Sequence, residues 1–348
     1  MPAKIPKAMK AWTHTRAGHP SSVLTLSTLP IPTMTSSEQT LVRVSHCALN
    51  PGASIVMQLL PFMFRSSPAI PEMDFSGTIV SVGDSVPNLR PGTQVFGSIS
   101  LPQHVKSTSG ALAEYVAVPH TAVTPKPKSL SMKQASGLGI AGITALELLK
   151  AAGLKRGNNV LVNGASGGVG HLVLQMCMQA VGSSGKVVAV CSSRNVEWVE
   201  KLCSLPNCQV IAYDTHAPVY ECIANAFSQE RFDAVIDAVG VQDIFNNCLA
   251  FLREGKPYVT VGPKISGYTY ASMLATIGVM AKNMLWPQWL GSIPRPYAQV
   301  AAAANLVALE ELVRMVDEEG LKVHVGKLVK MYEVQEVSSA LSNCGEIG

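Results

Sequence analysis

Two rhythms of apolar and polar positions divide the chain. Up to about residue 124, short apolar runs such as Leu41-Val42-Arg43-Val44, Gly77-Thr78-Ile79-Val80 and Tyr115-Val116-Ala117-Val118 stand between turn signals such as Arg90-Pro91-Gly92. The background there is rich in Pro, Ser, Thr and Gly. Short apolar runs bounded by turn residues predict a mostly β domain of irregular form. From about 135 to 262, strand-like and helix-like periods alternate, with strands predicted at 159–163, 186–191, 209–213, 232–237 and 258–261. Alternation with short links predicts a parallel, doubly wound sheet. Val169, Leu172, Val173, Met176, Cys177 and Ala180 recur at helical spacing and predict the inner face of the helix after the first of these strands. After 297 a long amphipathic segment runs to about Glu319. A strand around Val323–Met331 and a last helix are predicted beyond it.

The junction Val160-Leu161-Val162-Asn163-Gly164-Ala165-Ser166-Gly167-Gly168-Val169-Gly170 carries the chemistry. A β-branched run stops at glycines and a helical pattern starts at once. Glycines let a backbone approach a ligand closely, and a helix start favours negative charge. The turn is not a literal G-x-G-x-x-G, but its place between a strand and a helix predicts that Gly164 to Gly170 cradle a dinucleotide pyrophosphate. The second strand of the sheet ends at Cys191 and is followed by Ser192-Ser193-Arg194-Asn195. NAD-selective sites usually place an acid here. This segment has none to repel a 2′-phosphate, and Arg194 can pair with one. NADPH is therefore expected over NADH. Val239-Gly240 and Val261-Gly262 end the fourth and fifth strands, where backbone contacts to the cofactor are expected.

Bulk properties narrow the picture further. The 348 residues are 47% hydrophobic and 14% charged, enough chain for two globular domains. The net charge of +4 is spread along the chain, so no nucleic-acid partner is expected; Pro125-Lys126-Pro127-Lys128 reads as a boundary loop. The first twelve residues hold no apolar signal core. Lys282, Asn283 and Pro287 interrupt the apolar stretch 271–290, which reads as helix and loop or as a substrate or subunit surface, not a membrane span. The eight cysteines (Cys47, Cys177, Cys191, Cys203, Cys208, Cys222, Cys248 and Cys344) show no Cys-x-x-Cys pair. Reduced thiols and a cytoplasmic location are expected.

Six segments, in order, give the chain a resemblance to a known family. They are Ala48-Leu49-Asn50-Pro51, Pro71-Glu72-Met73-Asp74-Phe75-Ser76-Gly77, Gly110-Ala111-Leu112-Ala113-Glu114-Tyr115, Ala141-Gly142-Ile143-Thr144-Ala145, the glycine turn, and Phe232-Asp233-Ala234-Val235-Ile236-Asp237. Over nearly its whole length the chain resembles the medium-chain dehydrogenase/reductases, in the zinc-free quinone oxidoreductase and enoyl reductase branch. The resemblance implies an α/β protein with a GroES-like β-barrel catalytic domain and a Rossmann doubly wound parallel-sheet domain, with the active site in the cleft. The implied division is 1–124 catalytic, 125–275 NADPH-binding and 276–348 returning to the catalytic domain. Zinc enzymes of this family have Cys, His, and Cys or His where Asn50, Met73 and Ala141 stand. Met73 and Ala141 are not zinc ligands, so no metal is expected.

Without a Lewis acid, reduction of a conjugated acceptor is favoured over alcohol oxidation. The resemblance implies hydride transfer to an α,β-unsaturated carbonyl, an enoyl group or a quinone. Asn50 is the candidate donor to the developing oxyanion; its other reading is an amide that pins the Asn50-Pro51 turn. Thr144 is implied on the nicotinamide side and Tyr213 against the adenosine ribose phosphate. No proton donor is identified, and His46 reads as structural. Many quinone reductases have Asp and then Tyr shortly after Asn-Pro, but here Gly52-Ala53-Ser54-Ile55 leads into an apolar run from Val56 to Phe64. That run either lines a pocket for a hydrophobic substrate, such as a secondary metabolite, or is core. Relatives usually continue with Gly-Lys and a closing strand where this sequence has Gly345-Glu346-Ile347-Gly348, which implies a weaker hold on the cofactor phosphate. Homodimers are common in this branch. The alternatives are a zinc-free carbonyl or alcohol dehydrogenase and a non-catalytic, crystallin-like NADPH-binding protein.

Overall fold

A computed structural model describes residues 5–203, 206–216, 218–290 and 293–343. Cys344 and the chain end from Gly345 lie outside them. The chain divides into two compact units, Met1–Ile143 with Ala303–Ile347, and Thr144–Ala302.

In the first unit, β1 (Ala8–Thr13) pairs antiparallel with β2 (Thr25–Pro30). A second, antiparallel sheet holds β3 (Gln39–Ala48), β4 (Asp74–Val82), β5 (Gln94–Ser98), β6 (Tyr115–Pro119) and β7 (Val123–Pro125), in the order β6-β3-β4-β5-β7. Two register shifts in β3, at Leu41/Val42 and Val44/His46, interrupt its ladder to β4, and bulges of this kind bend a strand. Val42, Phe75, Ile79, Val95, Val116, Val118 and Val123 from this sheet form one buried cluster. A second cluster gathers around Trp12.

The second unit is built on β8 (Asn159–Asn163), β9 (Lys186–Cys191), β10 (Cys208–Ala212), β11 (Ala234–Asp237), β12 (Tyr258–Thr260) and β13 (Tyr297–Gln299). All pairings are parallel and the order is β10-β9-β8-β11-β12-β13. Strand order reverses between β8 and β11, the switch point at which doubly wound sheets bind ligands. Val188, Val190, Leu161, Val235 and Tyr258 bury one sheet face against Ile223, Phe227, Phe245 and Phe251.

Four expectations change. The Val323–Met331 segment is not a strand. Its alternation is real, with Leu321 and Val323 buried, but side chains take its carbonyls in place of a neighbouring strand. Gln134 Nε2 donates to Val323 O at 3.1 Å and Trp12 Nε1 to Met331 O at 2.8 Å. The amphipathic segment after 297 is two elements, β13 and a helix Leu306–Asp317 capped by the Asn305 side chain. β13 extends the parallel sheet, so the second unit keeps the chain to residue 302 and begins at 144, against the expected 275 and 125. Finally, Cys203 and Cys208 form a disulfide across the turn from a helix into β10, so these two thiols are not reduced. Cys177 and Cys191 are free and buried, as the apolar pattern implied. Among the described residues, no helix is long and apolar enough to cross a membrane.

Candidate active site

The carboxyl ends of five parallel strands bring most of the predicted cofactor residues together. β8 runs into the turn from Gly164 to Val169 and then into the helix Gly170–Val181. The turn is tied down by Ala165 N–H donating to Val190 O (2.9 Å) and Gly167 N–H to Gly164 O (3.0 Å). A Cβ built on Gly170 would overlap the carbonyl oxygen of Gly164, so only glycine lets the helix start this close to the strand it follows. The helix is buried nearly all round, beyond the single stripe expected of it. Ser166 joins the end of β9 through its Oγ, which accepts from Asn195 Nδ2 at 3.0 Å; the same amide reaches Ser192 Oγ at 3.1 Å. Ser192 is buried, and Ser193 and Arg194 are exposed beside it. Tyr213 N–H donates to Cys191 O at 3.0 Å, which sets the backbone of Tyr213, an exposed residue, beside the β9 exit.

The fourth and fifth strand ends meet through Gly240 and Gly262. Gly240 has φ 88°, and a Cβ there would overlap the carbonyl oxygen of Gly262. Asp237 organises this turn. Its Oδ1 accepts from Asn163 Nδ2 (2.8 Å) and from the N–H groups of Val239 (3.0 Å) and Gly240 (2.9 Å). Its Oδ2 accepts from Val241 N–H (2.7 Å) and the Tyr258 hydroxyl (2.7 Å). One buried carboxylate thus joins the exits of β8 and β11 to Tyr258, the first residue of β12. Burial and this negative neighbour hold the Tyr258 hydroxyl well above its ordinary range, protonated and donating. Val261 is half-buried and its N–H donates to Asp237 O at 3.2 Å. Thr144 is buried on the helix Gly139–Ala152 of the same chain region.

Asn50 belongs to the first unit. β3 and β4 pair Ala48 with Asp74, so the chain leaves β3 with Asn50 beside that carboxylate. Asn50 precedes the helix Pro51–Leu59, but its side chain makes no capping bond. Instead Asn50 Nδ2 donates to Asp74 Oδ2 at 3.1 Å, and Asn50 N–H donates to Glu72 Oε2 at 3.0 Å. The amide is therefore oriented by a carboxylate and does not pin the turn. Asp74 Oδ2 also accepts from Ile140 N–H at 2.8 Å. Both acids are fully buried, and Glu72 sits at φ 67°, a backbone region that favours glycine. In the apolar run that follows, Met57 and Leu59 are buried while Met63 and Phe64 are exposed.

Burial drives the titration of this pair. It raises Asp74 from 3.8 to about 6, against hydrogen bonds that favour the ionised form, and raises Glu72 well above the carboxylate range, with Asp74 adding repulsion. The folded state thus holds protons that the unfolded state has released. Stability from these groups is present below about pH 4 and is lost as pH rises through the folded values. Between about pH 4 and pH 6 Asp74 alone is expected to remove about 2 kcal/mol of stability. Asp74→Asn should flatten that slope in denaturant unfolding measured across this range; an unchanged slope would mean that Asp74 titrates as an ordinary surface acid.

Comparison with known proteins agrees with these features. Residues 36–128 match the alcohol dehydrogenase GroES-like domain family, and residues 168–283 match the zinc-binding dehydrogenase family. Medium chain reductase pydE of Acremonium sp is 32% identical over 93% of this chain and 94% of its own length. The chain belongs to the medium-chain dehydrogenase/reductase superfamily, in its enoyl and quinone reductase branch. Trans-enoyl reductase poxH of Penicillium oxalicum is 29% identical over 94% of this chain and 93% of its own. The quinone oxidoreductase of Coxiella burnetii superposes with a TM-score of 0.76 at 27% identity, covering 97% of this chain and 96% of that one.

Zinc, which one of the matched families carries in its description, does not fit this medium-chain reductase. Asn50 offers an amide already committed to Asp74, Met73 is buried in an apolar cluster, and Ala141 has no donor. Among the described residues, no three His, Cys, Asp or Glu side chains are grouped to hold a metal. A dinucleotide does fit, because the close approaches at Gly170 and Gly240 leave bare backbone at the switch point.

Sequence reasoning missed four carboxylates. Asp237 ends an apolar strand, and an acid in that place signals a buried, fully bonded group. The Glu72–Asp74 pair lay inside a family segment but was not read as a support for Asn50. Segment 192–195 itself has no acid, but Asp214 brings one to it: Asp214 accepts from Ser193 N–H at 2.7 Å and from Ser193 Oγ at 2.8 Å. It comes from the next strand of the sheet, not from β9, so it was visible only by asking what β10 places beside β9.

Proposed function

We propose that the protein reduces an activated C=C bond, in an α,β-unsaturated carbonyl or enoyl group, or a quinone, by hydride transfer from NADPH without zinc. The observation that carries this reading is the Asn50 amide held by Asp74 where zinc relatives place a metal ligand. NADPH, when bound, supplies the hydride. Hydride arriving at the β-carbon drives negative charge onto the carbonyl oxygen of the substrate. Asn50 Nδ2 has two hydrogens; Asp74 takes one and fixes the direction of the other. That second N–H is the donor to the oxyanion, preorganised because the carboxylate is buried and cannot reorient in water. Protonation at the α-carbon, from water or a side chain, completes the reduction. The exposed Met63 and Phe64 beyond the Asn50 helix suit a hydrophobic acceptor, and the names of the fungal relatives are consistent with an enoyl substrate.

The test is turnover of NADPH with a panel of enones, enoyl thioesters and quinones. Deuterium from C4-labelled NADPH is expected at the β-carbon of the enone product. Tight NADPH binding with no turnover across the panel would instead favour a non-catalytic binder.

For the cofactor, Arg194 is exposed beside Ser192 and Ser193 and meets the 2′-phosphate in this reading. Arg194→Ala is expected to weaken NADPH binding by roughly 10- to 100-fold, the worth of one charge-assisted contact, and NADH binding by less than about threefold. Equal losses for both cofactors, measured by calorimetric titration, would sink the NADPH assignment.

A further inference from the structure

Ser193 offers two donors at the exit of β9, and one carboxylate takes both. Its N–H reaches Asp214 Oδ1 and its hydroxyl reaches Asp214 Oδ2, at 2.7 and 2.8 Å. A bidentate acceptor on a backbone N–H and an adjacent hydroxyl is how two oxygens of a phosphate bind. The position of the carboxylate follows from the sheet. β9 and β10 run parallel with Ala212 beside Cys191, and Tyr213 N–H continues the pairing to Cys191 O. Asp214 is the next residue, so it emerges level with Ser193. Hydrogen bonds from Ser193, with Arg194 nearby, hold its carboxyl below the usual range, so it is charged at neutral pH. Both Ser193 and Asp214 are exposed, so their bonds exchange with solvent at little cost.

We propose that Asp214 is a built-in competitor for the 2′-phosphate: it occupies the Ser193 donors in the free protein, leaves them when NADPH binds, and thereby sets the NADPH to NADH preference. This inference rests on the reading that Ser193 and Arg194 hold that phosphate. With NADPH, the carboxylate and a phosphate of charge about −2 meet the same two donors, and the repulsion weakens binding. With NADH, the 2′-hydroxyl can donate to the same carboxylate, as it does to the acid of NAD-selective sites. Asp214 therefore penalises one cofactor and assists the other. Arg194 acts in the opposite sense on NADPH. Two adjacent strand exits thus carry opposing charges on one subsite, and the preference is their difference.

The experiment is calorimetric titration of wild-type protein, Asp214→Ala, Asp214→Asn and Arg194→Ala with NADPH, NADH, adenosine 2′,5′-bisphosphate and 5′-AMP. Asp214→Ala is expected to tighten NADPH and the bisphosphate by roughly tenfold. NADH and 5′-AMP, which both carry a free 2′-hydroxyl, should stay the same or weaken by a few fold at most, about fivefold. Asp214→Asn keeps the shape without the charge and should recover most of that gain. A weaker NADPH complex in Asp214→Ala would mean that the carboxylate supports the phosphate site, and an unchanged NADPH to NADH ratio would mean that it is a bystander; either overturns the proposal. Arg194→Ala separates the two readings. If it selectively weakens NADPH while Asp214→Ala changes nothing, the NADPH assignment stands and the competitor falls. If it weakens both cofactors equally and Asp214→Ala weakens NADH alone, the NADPH assignment falls and takes the competitor with it.

Discussion

Gly170→Ala should abolish useful cofactor binding, with affinity for NADPH falling by at least about 100-fold. The added methyl lands on the Gly164 carbonyl oxygen and close to Ala165 Cα, at 3.0 Å. Both obstacles are backbone, and the turn that carries them is anchored to Val190 O and closed on itself, so it cannot yield without opening the phosphate cradle. A helix start displaced by even 1 Å also loses the alignment of its N–H groups with the pyrophosphate. A fall in Tm of several degrees should accompany the loss, since overpacking of this kind costs about 1–3 kcal/mol. Gly168→Ala is the control for stability. Beyond its own chain neighbours, no atom lies within 4 Å of a Cβ at Gly168, so Tm should hold. Equal destabilisation by the two substitutions would show that the close approach at Gly170 is not what constrains the turn.

Asp237→Ala is expected to be the most destabilising single change, on the order of 3–5 kcal/mol and a drop in Tm of about 10 °C. Five donors lose their acceptor together, three of them backbone N–H groups of the turn after β11. The Tyr258 hydroxyl and the Asn163 amide are buried and have no water to turn to. Asp237→Asn tests the charge separately. It keeps the volume but turns an NH2 group toward donors, so it should recover only part of the loss. Thermal unfolding of both variants, with NADPH titration for the cofactor turn, reads the result. A loss below about 1 kcal/mol for the alanine variant would contradict the role given to this carboxylate.

These two residues show how far the sequence could be read. Gly170 was legible because its constraint is local: a strand, a turn and a helix follow one another within eleven residues, and only a small residue fits where they fold back. Asp237 was present in a family segment, yet its five partners come from three strands far apart in the chain. The same division holds elsewhere. Strands β8 to β12 could be placed from periodicity, because both faces of a parallel sheet are covered and each strand reads as an apolar run. Val323–Met331 has the alternation of a strand and lacks the neighbour that would make it one. The reach of the second unit to residue 302 depended on β13, three residues long and too short to signal itself.

The candidate site divides in the same way. Residue type alone removed zinc, since Met73 and Ala141 cannot replace a His and a Cys or His. The glycine turn named a dinucleotide, because the demand for bare backbone is written in the residues themselves, and Arg194 is the cation on which the NADPH proposal rests. What holds the Asn50 amide was decided only when β3 and β4 set it beside Asp74, and what holds the Ser193 donors only when β10 delivered Asp214 to them. Sequence fixes chemistry that is contiguous. Chemistry assembled by strand pairing has no trace in sequence spacing, because register, not separation along the chain, determines which side chains meet.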